Sequence, residues 1–407
     1  MFREDFKHVL DQQNDNMIAF AQKLIRLPSV TGQEGDVAGV IVSEMQKLDF
    51  DKILTDEAGN VMGVISGSGN GEHVLYNCHM DQVDPGNLDA WEHAPFDGVI
   101  ADGWIHGRGA SDTKGAIAAQ VYAAAAVKKL GFSHKGDIIV TAVVEEEPGD
   151  MWGMRKLVDS KIRNYPGEIG LVVLGEATGL NVYLGHRGKV EIDVRTLGKV
   201  AHSSAPWRGE NAVYKMRPVI ESLERLGDSL PEHPFLRRSS VAITNITCSP
   251  GWLSTVPDIC TIRLDRRFLP SENRDTILSE LNGILNSAGL ESGKNAFVEI
   301  QKYNHTGYTG LKESMELYKP AFLTAEDEPH VQTVVKSLQL VGQNPAFSCW
   351  DFGTDGAWTS TELNIPTIGY SPCEEEFAHT PEDRVSIDLM KKSVYGYVSM
   401  SIALTNK

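Results

Sequence analysis

The chain has 407 residues, of which 41% are hydrophobic and 23% are charged, so it is able to bury a sizeable core. Its 55 acidic and 38 basic side chains give a formal net charge of −17, which argues against nucleic acid or an anionic membrane surface as the main partner. No segment approaches the roughly 20 apolar residues of a membrane-spanning helix, and the charged N-terminus lacks the apolar stretch of a signal peptide. The five scattered cysteines, with no CxxC spacing, are typical of reduced thiols, so we expect a cytoplasmic protein.

Predicted helices and apolar strands alternate through the first half of the chain. Residues 1–50 contain two amphipathic helices, and Pro28 ends the first of them. A long helix is predicted at 116–130, and short apolar runs are predicted as strands at 61–65, 73–77, 138–144 and 169–174. Buried strands that alternate with helices predict an α/β domain whose mixed or parallel sheet is covered on both faces.

From residue 189 the predicted order changes to strand, helix, strand, strand, helix, strand, and this segment ends near residue 303. That order is typical of a ferredoxin-like α+β domain. From residue 320 the α/β pattern resumes and continues to the end of the sequence. We therefore predict a discontinuous α/β domain of residues 1–188 and 304–407, with a second domain of residues 189–303 inserted into it.

The first residues with a chemical signature follow the strand predicted at 73–77. His79 and Asp81 are two residues apart, so they point to the same side of an extended chain. A carboxylate in this position could fix the ring of a metal-binding histidine. On its own, however, such a pair is more often an ordinary strand-end histidine that is hydrogen-bonded to a neighbour.

Asp112 lies in the glycine-rich segment 107–115, directly before the helix predicted at 116–130. Taken alone, it could be a turn carboxylate or the cap of that helix. The segment matches neither of the glycine-rich patterns that bind phosphate, which argues against a nucleotide site.

Further carboxylates follow two apolar strands. Residues 145–147 are three adjacent glutamates after the strand predicted at 138–144, and Glu176 follows the next strand. Adjacent carboxylates at the end of a buried strand repel one another unless positive charge compensates them, although a solvated acidic turn would tolerate them. With His379 in a polar loop near the C-terminus, the two histidines and several carboxylates suit a pair of zinc-like ions about 3.5–4 Å apart that share one carboxylate.

In this order, the motifs resemble the di-zinc amidohydrolases and exopeptidases, a family that includes acetylornithine deacetylase, succinyl-diaminopimelate desuccinylase, aminoacylase and glutamate carboxypeptidase. The resemblance runs nearly from end to end, and it is carried by LPS at 27–29, HMD at 79–81, GRGASDTKG at 107–115, the glutamate pair at 146–147, GEAT at 175–178, GKVAHSSAP at 198–206 and AHTPED at 378–383. Within the family, SAPWRGENAVYKM at 204–216 and YNHTGYTGL at 303–311 are most similar to the branch of hydrolases linked to selenium metabolism.

The resemblance implies a mixed-sheet α/β catalytic domain, with the inserted ferredoxin-like domain as its lid and dimerisation domain. It also implies two divalent metal ions, zinc in the first place with cobalt or manganese as substitutes. The implied metal ligands are His79, Asp112, Glu147, Glu176 and His379. Asp112 would bridge the two ions, and its peptide bond with Thr113 would be cis.

The resemblance also implies three catalytic residues. Glu146 would be the general base, and Asp81 would orient the His79 ring from behind. His202, in the inserted domain, would reach the active site of the partner subunit in a homodimer. We expect Glu145, which stands where the family commonly has aspartate, to be structural.

The expected substrate is a small molecule with a free carboxylate. Arg267 could bind that carboxylate through its planar guanidinium group, although a solvated arginine at a strand end is equally consistent. The backbone N–H groups of Gly353 and Thr354 could bind the same carboxylate.

The implied reaction is hydrolysis of the amide bond of an N-acyl amino acid by a metal-bridged water, which would make the protein a deacylase or deacetylase. A dipeptidase or carboxypeptidase that acts on small peptides would use the same metal chemistry, so this alternative stays open. A catalytically silent metal-binding protein is the remaining alternative, although every implied metal ligand and the implied base are present.

Overall fold

The computed structural model describes residues 4–251 and 253–407, so the first three residues of the predicted N-terminal helix lie outside it. The first half of the chain alternates helices and strands. The helices there are α1 (Glu4–Ile25), α2 (Gly35–Lys47), α3 (Gly115–Lys129) and α4 (Trp152–Leu157). The strands are β1 (Lys52–Thr55), β2 (Val61–Ile65), β3 (His73–His79), β4 (Val99–Ala101), β5 (Trp104–His106), β6 (Ile138–Val143), β7 (Ile169–Leu174) and β8 (Val182–His186).

The middle of the chain is dominated by strands. Its elements are β9 (Gly188–Leu197), β10 (Ala201–His202), α5 (Ala212–Ser229), β11 (Glu232–His233), β12 (Arg237–Arg238), β13 (Ser240–Ser249), β14 (Thr255–Val256), β15 (Ile259–Phe268), α6 (Arg274–Ser287) and β16 (Ala296–Ile300). A hairpin of β17 (Lys302–Thr306) and β18 (Lys312–Glu316) and the short strand β19 (Tyr318–Lys319) follow. The last part contains β20 (Phe322–Leu323), α7 (Pro329–Leu340), β21 (Phe347–Trp350), α8 (Gly356–Glu362), β22 (Thr367–Gly369), β23 (Arg384–Ser386) and α9 (Ile387–Thr405).

Among the described residues, nine strands form the larger sheet, in the order β1-β2-β6-β3-β7-β22-β8-β20, with β21 also paired to β8. The central strands β6, β3, β7 and β22 are parallel, whereas β2 runs antiparallel to β6 and β8 runs antiparallel to β22, so the sheet is mixed. Alternate residues of a strand pack into different cores: Val74 and Tyr76 of β3 join one apolar cluster, and Leu75 joins the other. Both faces are therefore covered by helices, which explains why the central strands are apolar at nearly every position.

The smaller sheet has the order β13-β15-β9-β16 and is antiparallel throughout. Buried and half-buried residues alternate along β9 because apolar side chains of α5 and α6 cover only one face of this sheet. β19 extends the sheet by pairing with the start of β9, where Lys319 lies opposite Lys189. The edge strand β13 is exposed along nearly its whole length.

The prediction of the fold class is confirmed, because a mixed, helix-covered sheet and a ferredoxin-like strand order are both present. The predicted domain limits, 1–188 with 304–407 and 189–303, stay a prediction. The sequence did not predict β17, β18 and β19, because residues 302–319 are rich in charged and polar side chains and contain no apolar run. None of the helices in the described part of the chain combines the length and apolar character needed to cross a membrane.

Candidate metal centre and active site

Three of the predicted segments meet at one edge of the larger sheet. β6, β3 and β7 are parallel neighbours, and the carboxyl ends of parallel strands lie at the same edge. His79 is the last residue of β3, residues 145–147 follow β6, and Glu176 follows β7. Parallel pairing therefore brings together side chains that are far apart in the sequence.

Asp112 lies between the two predicted histidine ligands. Its Oδ1 is 2.8 Å from Nε2 of His79, and its Oδ2 is 3.1 Å from Nε2 of His379, which is also 3.1 Å from Oε2 of Glu147. Burial by itself raises the pKa of Asp112, but the hydrogen bonds from His379 and His79 hold that pKa below its usual value. The Asp112–Thr113 peptide bond is cis. Since each oxygen of this carboxylate faces a different histidine, Asp112 is suited to bridge two cations.

The remaining carboxylates complete two groups of donor atoms. Donor atoms of His79, Asp112 and Glu147 lie within 4.8 Å of one another, and so do those of His79, Glu146 and Glu176. The second group thus includes Glu146, which the resemblance implies as the general base and not as a metal ligand. Nε2 of His79 is 3.7 Å from Oε1 of Glu176.

The electrostatics of these side chains fit bound cations. Burial raises the pKa of Glu147 to about 7 and the pKa of Glu176 well above its ordinary value. Oε1 of Glu147 is buried, and no described residue forms a hydrogen bond to it. Imidazole nitrogens and carboxylate oxygens are donors that zinc and related divalent metals accept. The donor set therefore fits two divalent metal ions, which would compensate the buried negative charge.

Asp81 lies behind the donor groups and is fully buried. Its carboxylate accepts hydrogen bonds from the backbone N–H groups of Glu146, at 3.0 Å, and Glu147, at 3.1 Å, and from the Thr31 hydroxyl, at 3.0 Å. The backbone carbonyl oxygen of Asp81 is 3.0 Å from Nδ1 of His79. Because a carbonyl oxygen only accepts, Nδ1 carries a proton, so in the neutral ring Nε2 would be the nitrogen that binds a cation. Asp81 thus orients both the histidine and the loop that follows β6.

Lys319 is a residue of this site that the sequence did not predict. Its buried Nζ donates hydrogen bonds to Oε1 of Glu146, at 2.5 Å, and to the carbonyl oxygen of Gly353, at 3.1 Å. Burial raises the pKa of Glu146, and the positive charge of Lys319 opposes that rise. Burial alone would lower the pKa of Lys319, but the charge of Glu146 raises it above its ordinary value. No motif surrounds this lysine, so no signal in a single sequence could have found it.

A cavity of about 350 Å³ opens beside these residues, a volume that fits a small molecule. Its lining combines both charges. Five acidic side chains line it (Asp112, Glu146, Glu147, Glu176 and Glu375), together with the basic side chains Lys189, Arg267 and Lys319. The lining therefore offers groups for cations and groups for an anionic part of a ligand.

Two of the predicted substrate residues line the cavity. The guanidinium group of Arg267 is paired with Asp265, with 2.7 Å between Nε and Oδ1 and 3.1 Å between Nη2 and Oδ2. Gly353 also lines the cavity, and its carbonyl oxygen accepts the hydrogen bond from Lys319. The pair with Asp265 uses Nε and Nη2, and no described residue accepts a hydrogen bond from Nη1, which could therefore bind a ligand carboxylate.

Two other predicted residues lie elsewhere. The backbone N–H of Thr354 donates to Nε2 of His186 at 2.9 Å, and the residue is fully buried, so this N–H is not offered to a ligand. His202 is exposed, and its Nδ1 accepts hydrogen bonds from the backbone N–H and the hydroxyl of Ser204. Within residues 4–251 and 253–407, neither residue lines the cavity.

Comparison with known proteins gives consistent results. Residues 75–402 match the family model of peptidase family M20/M25/M40. The uncharacterized protein YgeY of Escherichia coli (strain K12) is 33% identical over 385 residues, which is 93% of each chain. A succinyl-diaminopimelate desuccinylase of Methylorubrum extorquens is 27% identical over 403 residues, which is 94% of this chain and 97% of that protein.

A solved structure is also similar. YXEP of Bacillus subtilis, a dinuclear metal-binding peptidase from the M20 family, superimposes with a TM-score of 0.71 at 15% sequence identity. The similarity covers 98% of this chain and 100% of that one. At this level of identity, the result concerns the fold.

Proposed function

The chain belongs to peptidase family M20/M25/M40 and is a hydrolase of amide bonds, and we propose that it removes the acyl group from an N-acyl amino acid. The observation that carries the proposal is the cavity that is lined both by the proposed metal ligands and by the basic side chains Lys189 and Arg267. A substrate with a free carboxylate next to its amide bond would fit this lining, with the carboxylate at Arg267 and the scissile carbonyl near the proposed metal ligands.

The proposed metal ligands are His79, Asp112, Glu147, Glu176 and His379, with zinc as the first choice of metal. Their donor atoms, distances and buried charge support this assignment. Bound ions would polarise the amide carbonyl and lower the pKa of a water molecule in the cavity. Asp112 is the proposed shared ligand because its two oxygens face different histidines.

Glu146 is the proposed general base. Its carboxylate lines the cavity beside the proposed metal ligands, and burial raises its pKa, which makes it a better proton acceptor. Glu146 would take a proton from the attacking water and then pass it to the departing amine nitrogen. Asp81 would hold the backbone of Glu146 and the ring of His79 in place throughout.

Arg267 is the proposed partner of the substrate carboxylate. Asp265 holds Nε and Nη2 of the guanidinium group, so Nη1 keeps a defined direction while it remains available. Lys189, which also lines the cavity, would add positive charge. Neutralisation of Arg267 in an Arg267→Met variant would then raise KM for N-acyl amino acids more than it lowers kcat.

We also propose a homodimer that forms through β13. This edge strand has exposed backbone and apolar side chains, with Ile246 54% exposed and Ile243 39% exposed. Edge strands with these properties pair readily with a second copy. In such a dimer, His202 would reach the cavity of the partner subunit and help to stabilise the oxyanion. Sedimentation velocity would test this proposal, since Ile246→Lys should then produce monomers.

Steady-state assays of the purified protein, supplied with zinc, cobalt or manganese, test the proposed reaction. We expect turnover of N-acetyl or N-succinyl amino acids, loss of turnover after treatment with a chelator, and recovery when metal is returned. Turnover of dipeptides alone would identify a dipeptidase or carboxypeptidase. Bound metal without turnover of either panel would identify a silent metal-binding protein. Zinc as the native metal, the cytoplasmic location and the selenium-linked branch stay predictions.

A further inference from the structure

A buried lysine from a distant part of the chain contacts the proposed general base. The Lys319 side chain is 2% exposed, and its Nζ is 2.5 Å from Oε1 of Glu146. Lys319 belongs to β19, the strand by which the chain leaves the smaller sheet, and it lies opposite Lys189 at the start of β9. The ammonium group therefore reaches Glu146 from outside the loop that carries the base.

Two further contacts, both with Gly353, restrict the position of the Lys319 side chain. Its Nζ donates to the carbonyl oxygen of Gly353, and its aliphatic stem passes directly over that glycine. A Cβ atom at position 353 would lie 2.6 Å from Cδ of Lys319, which is closer than two carbon atoms approach in packed proteins. Glycine is thus required at this position for the lysine to reach Glu146.

A second buried acid acts on the lysine. Asp355 is buried, and neither of its carboxylate oxygens has a hydrogen-bond partner among the described residues. Its negative charge raises the pKa of Lys319, as that of Glu146 does, but burial raises the pKa of Asp355 itself to about 8. The direct contact of the ammonium group is with Glu146.

The geometry separates the two oxygens of the base. Oε1 of Glu146 accepts the hydrogen bond from Lys319, whereas no described residue donates to Oε2, and Glu146 lines the cavity. We propose that Lys319 is a positioning residue. It holds Oε1 of Glu146 so that Oε2 of the same carboxylate is directed at the attacking water. A buried ion pair contributes little net stability once its desolvation is counted, so positioning explains its presence better than stability does. This inference rests on the proposed function, since it takes Glu146 to be the base.

The test uses four variants of the metal-loaded protein: Lys319→Met, which keeps the length of the side chain and removes its charge, Lys319→Arg, Glu146→Gln, and the double variant. Lys392→Met is the matched control, because Lys392 pairs with Asp388 on the exposed surface of α9. We expect Lys319→Met to lower kcat by about 100-fold, with KM and metal content within about twofold of wild type. We expect Lys319→Arg to recover part of kcat. In the Glu146→Gln background, loss of Lys319 should change the residual rate by less than about twofold, since it acts through Glu146.

Several results would overturn the proposal. Wild-type kcat in Lys319→Met would do so directly. A rise in KM of about tenfold at unchanged kcat would assign the lysine to substrate binding instead. Additive losses in the double variant would show a role that is independent of the base. If Lys319→Met does not fold, Gly353→Ala decides the question, because the added methyl group displaces the lysine stem: a loss of kcat at unchanged KM supports the proposal, and wild-type kcat refutes it.

The Glu146→Gln variant separates this inference from the proposed function. If Glu146→Gln loses activity while Lys319→Met keeps it, only the role of Lys319 fails. If Glu146→Gln keeps full activity, the general-base assignment fails and the role of Lys319 falls with it. A crystal structure of Lys319→Met adds a readout besides activity, since we expect the Glu146 carboxylate to leave its position while the metal ligands keep theirs.

Discussion

Two buried groups of histidine and carboxylate side chains share the loop after β6, and they are used differently. In the proposed metal centre (His79, Asp112, Glu147, Glu176 and His379), the carboxylates line a cavity and are open to a ligand. In the second group, the His305 cluster of His305, Glu145 and Asp150, Nδ1 of the ring is 2.6 Å from Glu145 and Nε2 is 2.6 Å from Asp150. The ring of Trp152 stacks on His305 with 4.7 Å between centroids, so the imidazole is sealed from solvent.

The difference shows that residue type alone does not make a metal site. His305 has committed both ring nitrogens to carboxylates, and no member of its cluster lines the metal-centre cavity within the described chain. Carboxylates outnumber histidines in both groups, so what distinguishes the proposed metal centre is access from the cavity. The His305 cluster instead fixes both ends of the loop that carries Glu146 and Glu147, which agrees with the structural role expected for Glu145.

Loss of the Asp112 carboxylate, which the two proposed ions would share, should have the largest effect on activity. A small effect would remove the proposed difference between the two groups. We expect Asp112→Asn to lose bound metal and to lower kcat/KM by more than about 1,000-fold, because bound ions contribute several kcal/mol to transition-state stabilisation. Elemental analysis and steady-state kinetics measure both effects. Asp159→Asn, which alters an exposed pair with Arg163, is the control. Full metal content in Asp112→Asn would contradict the bridging role.

The adjacent residues Glu145 and Glu146 belong to different groups, so the same substitution at each sharpens the contrast. We expect Glu146→Gln to lower kcat by about 100- to 10,000-fold without loss of metal, because it removes the base. Glu145→Gln should mainly lower the free energy of unfolding, because its carboxylate pairs with the buried His305. Kinetics and urea unfolding of both variants measure the difference, and equal kinetic losses would remove the distinction.

Removal of the sealed histidine should affect stability more than chemistry. We expect His305→Gln to lower the free energy of unfolding by about 3–5 kcal/mol, because it leaves two buried carboxylates without their partner. Metal content should stay unchanged. His330 is the matched control, since it lies between Glu72 and Glu328 but is 17% exposed, and His330→Gln should cost less than about 1 kcal/mol. Equal losses in urea unfolding would show that sealing is unimportant.

The pH dependence of stability provides the smallest and most specific test. Burial opposes protonation of His305, but hydrogen bonds to Asp150 and Glu145 raise its pKa from 6.5 to about 9. The contribution of protonated His305 to the free energy of unfolding is therefore complete below pH 6.5 and is lost as the pH rises through about 9.

Other groups near this ring also titrate. Burial raises the pKa of Glu34 to about 8, so Glu34 also makes the free energy of unfolding fall as the pH rises. The ring of Tyr303 packs against His305. The quantity to measure is therefore the difference in unfolding free energy between wild type and His305→Gln. We expect this difference to shrink between pH 6.5 and about 9. A constant difference would show that His305 is neutral in the folded protein.

Part of the proposed metal centre stands at recognisable places in the sequence. His79 and Glu176 come at the ends of apolar strands, so the parallel sheet predicts that they converge. Asp112 and His379 do not follow strands of that sheet, and only the resemblance of their motifs singled them out. The order of the smaller sheet was predictable, because amphipathic periodicity marks its main strands and helices.

His305 and Lys319 could not be found in the same way. They lie in the polar segment of β17, β18 and β19, and their partners Glu145 and Glu146 are 160 and 173 positions away in the sequence. Contacts of this kind depend on how the chain runs from the smaller sheet back to the larger one, and no local sequence pattern predicts that course. A sequence motif also does not predict the exposed fraction of a side chain such as His202.

The pairing of β19 with the start of β9 has a consequence for the redesign of the molecule. Antiparallel partners such as Lys189 and Lys319 are about 5 Å apart, so the chain enters the segment between them and leaves it at neighbouring positions. All five proposed metal ligands lie outside the intervening segment, but His305, which pairs with Glu145 and Asp150, lies inside it. A replacement segment would therefore leave the proposed metal ligands in the chain, but it would have to supply its own partner for these two buried carboxylates.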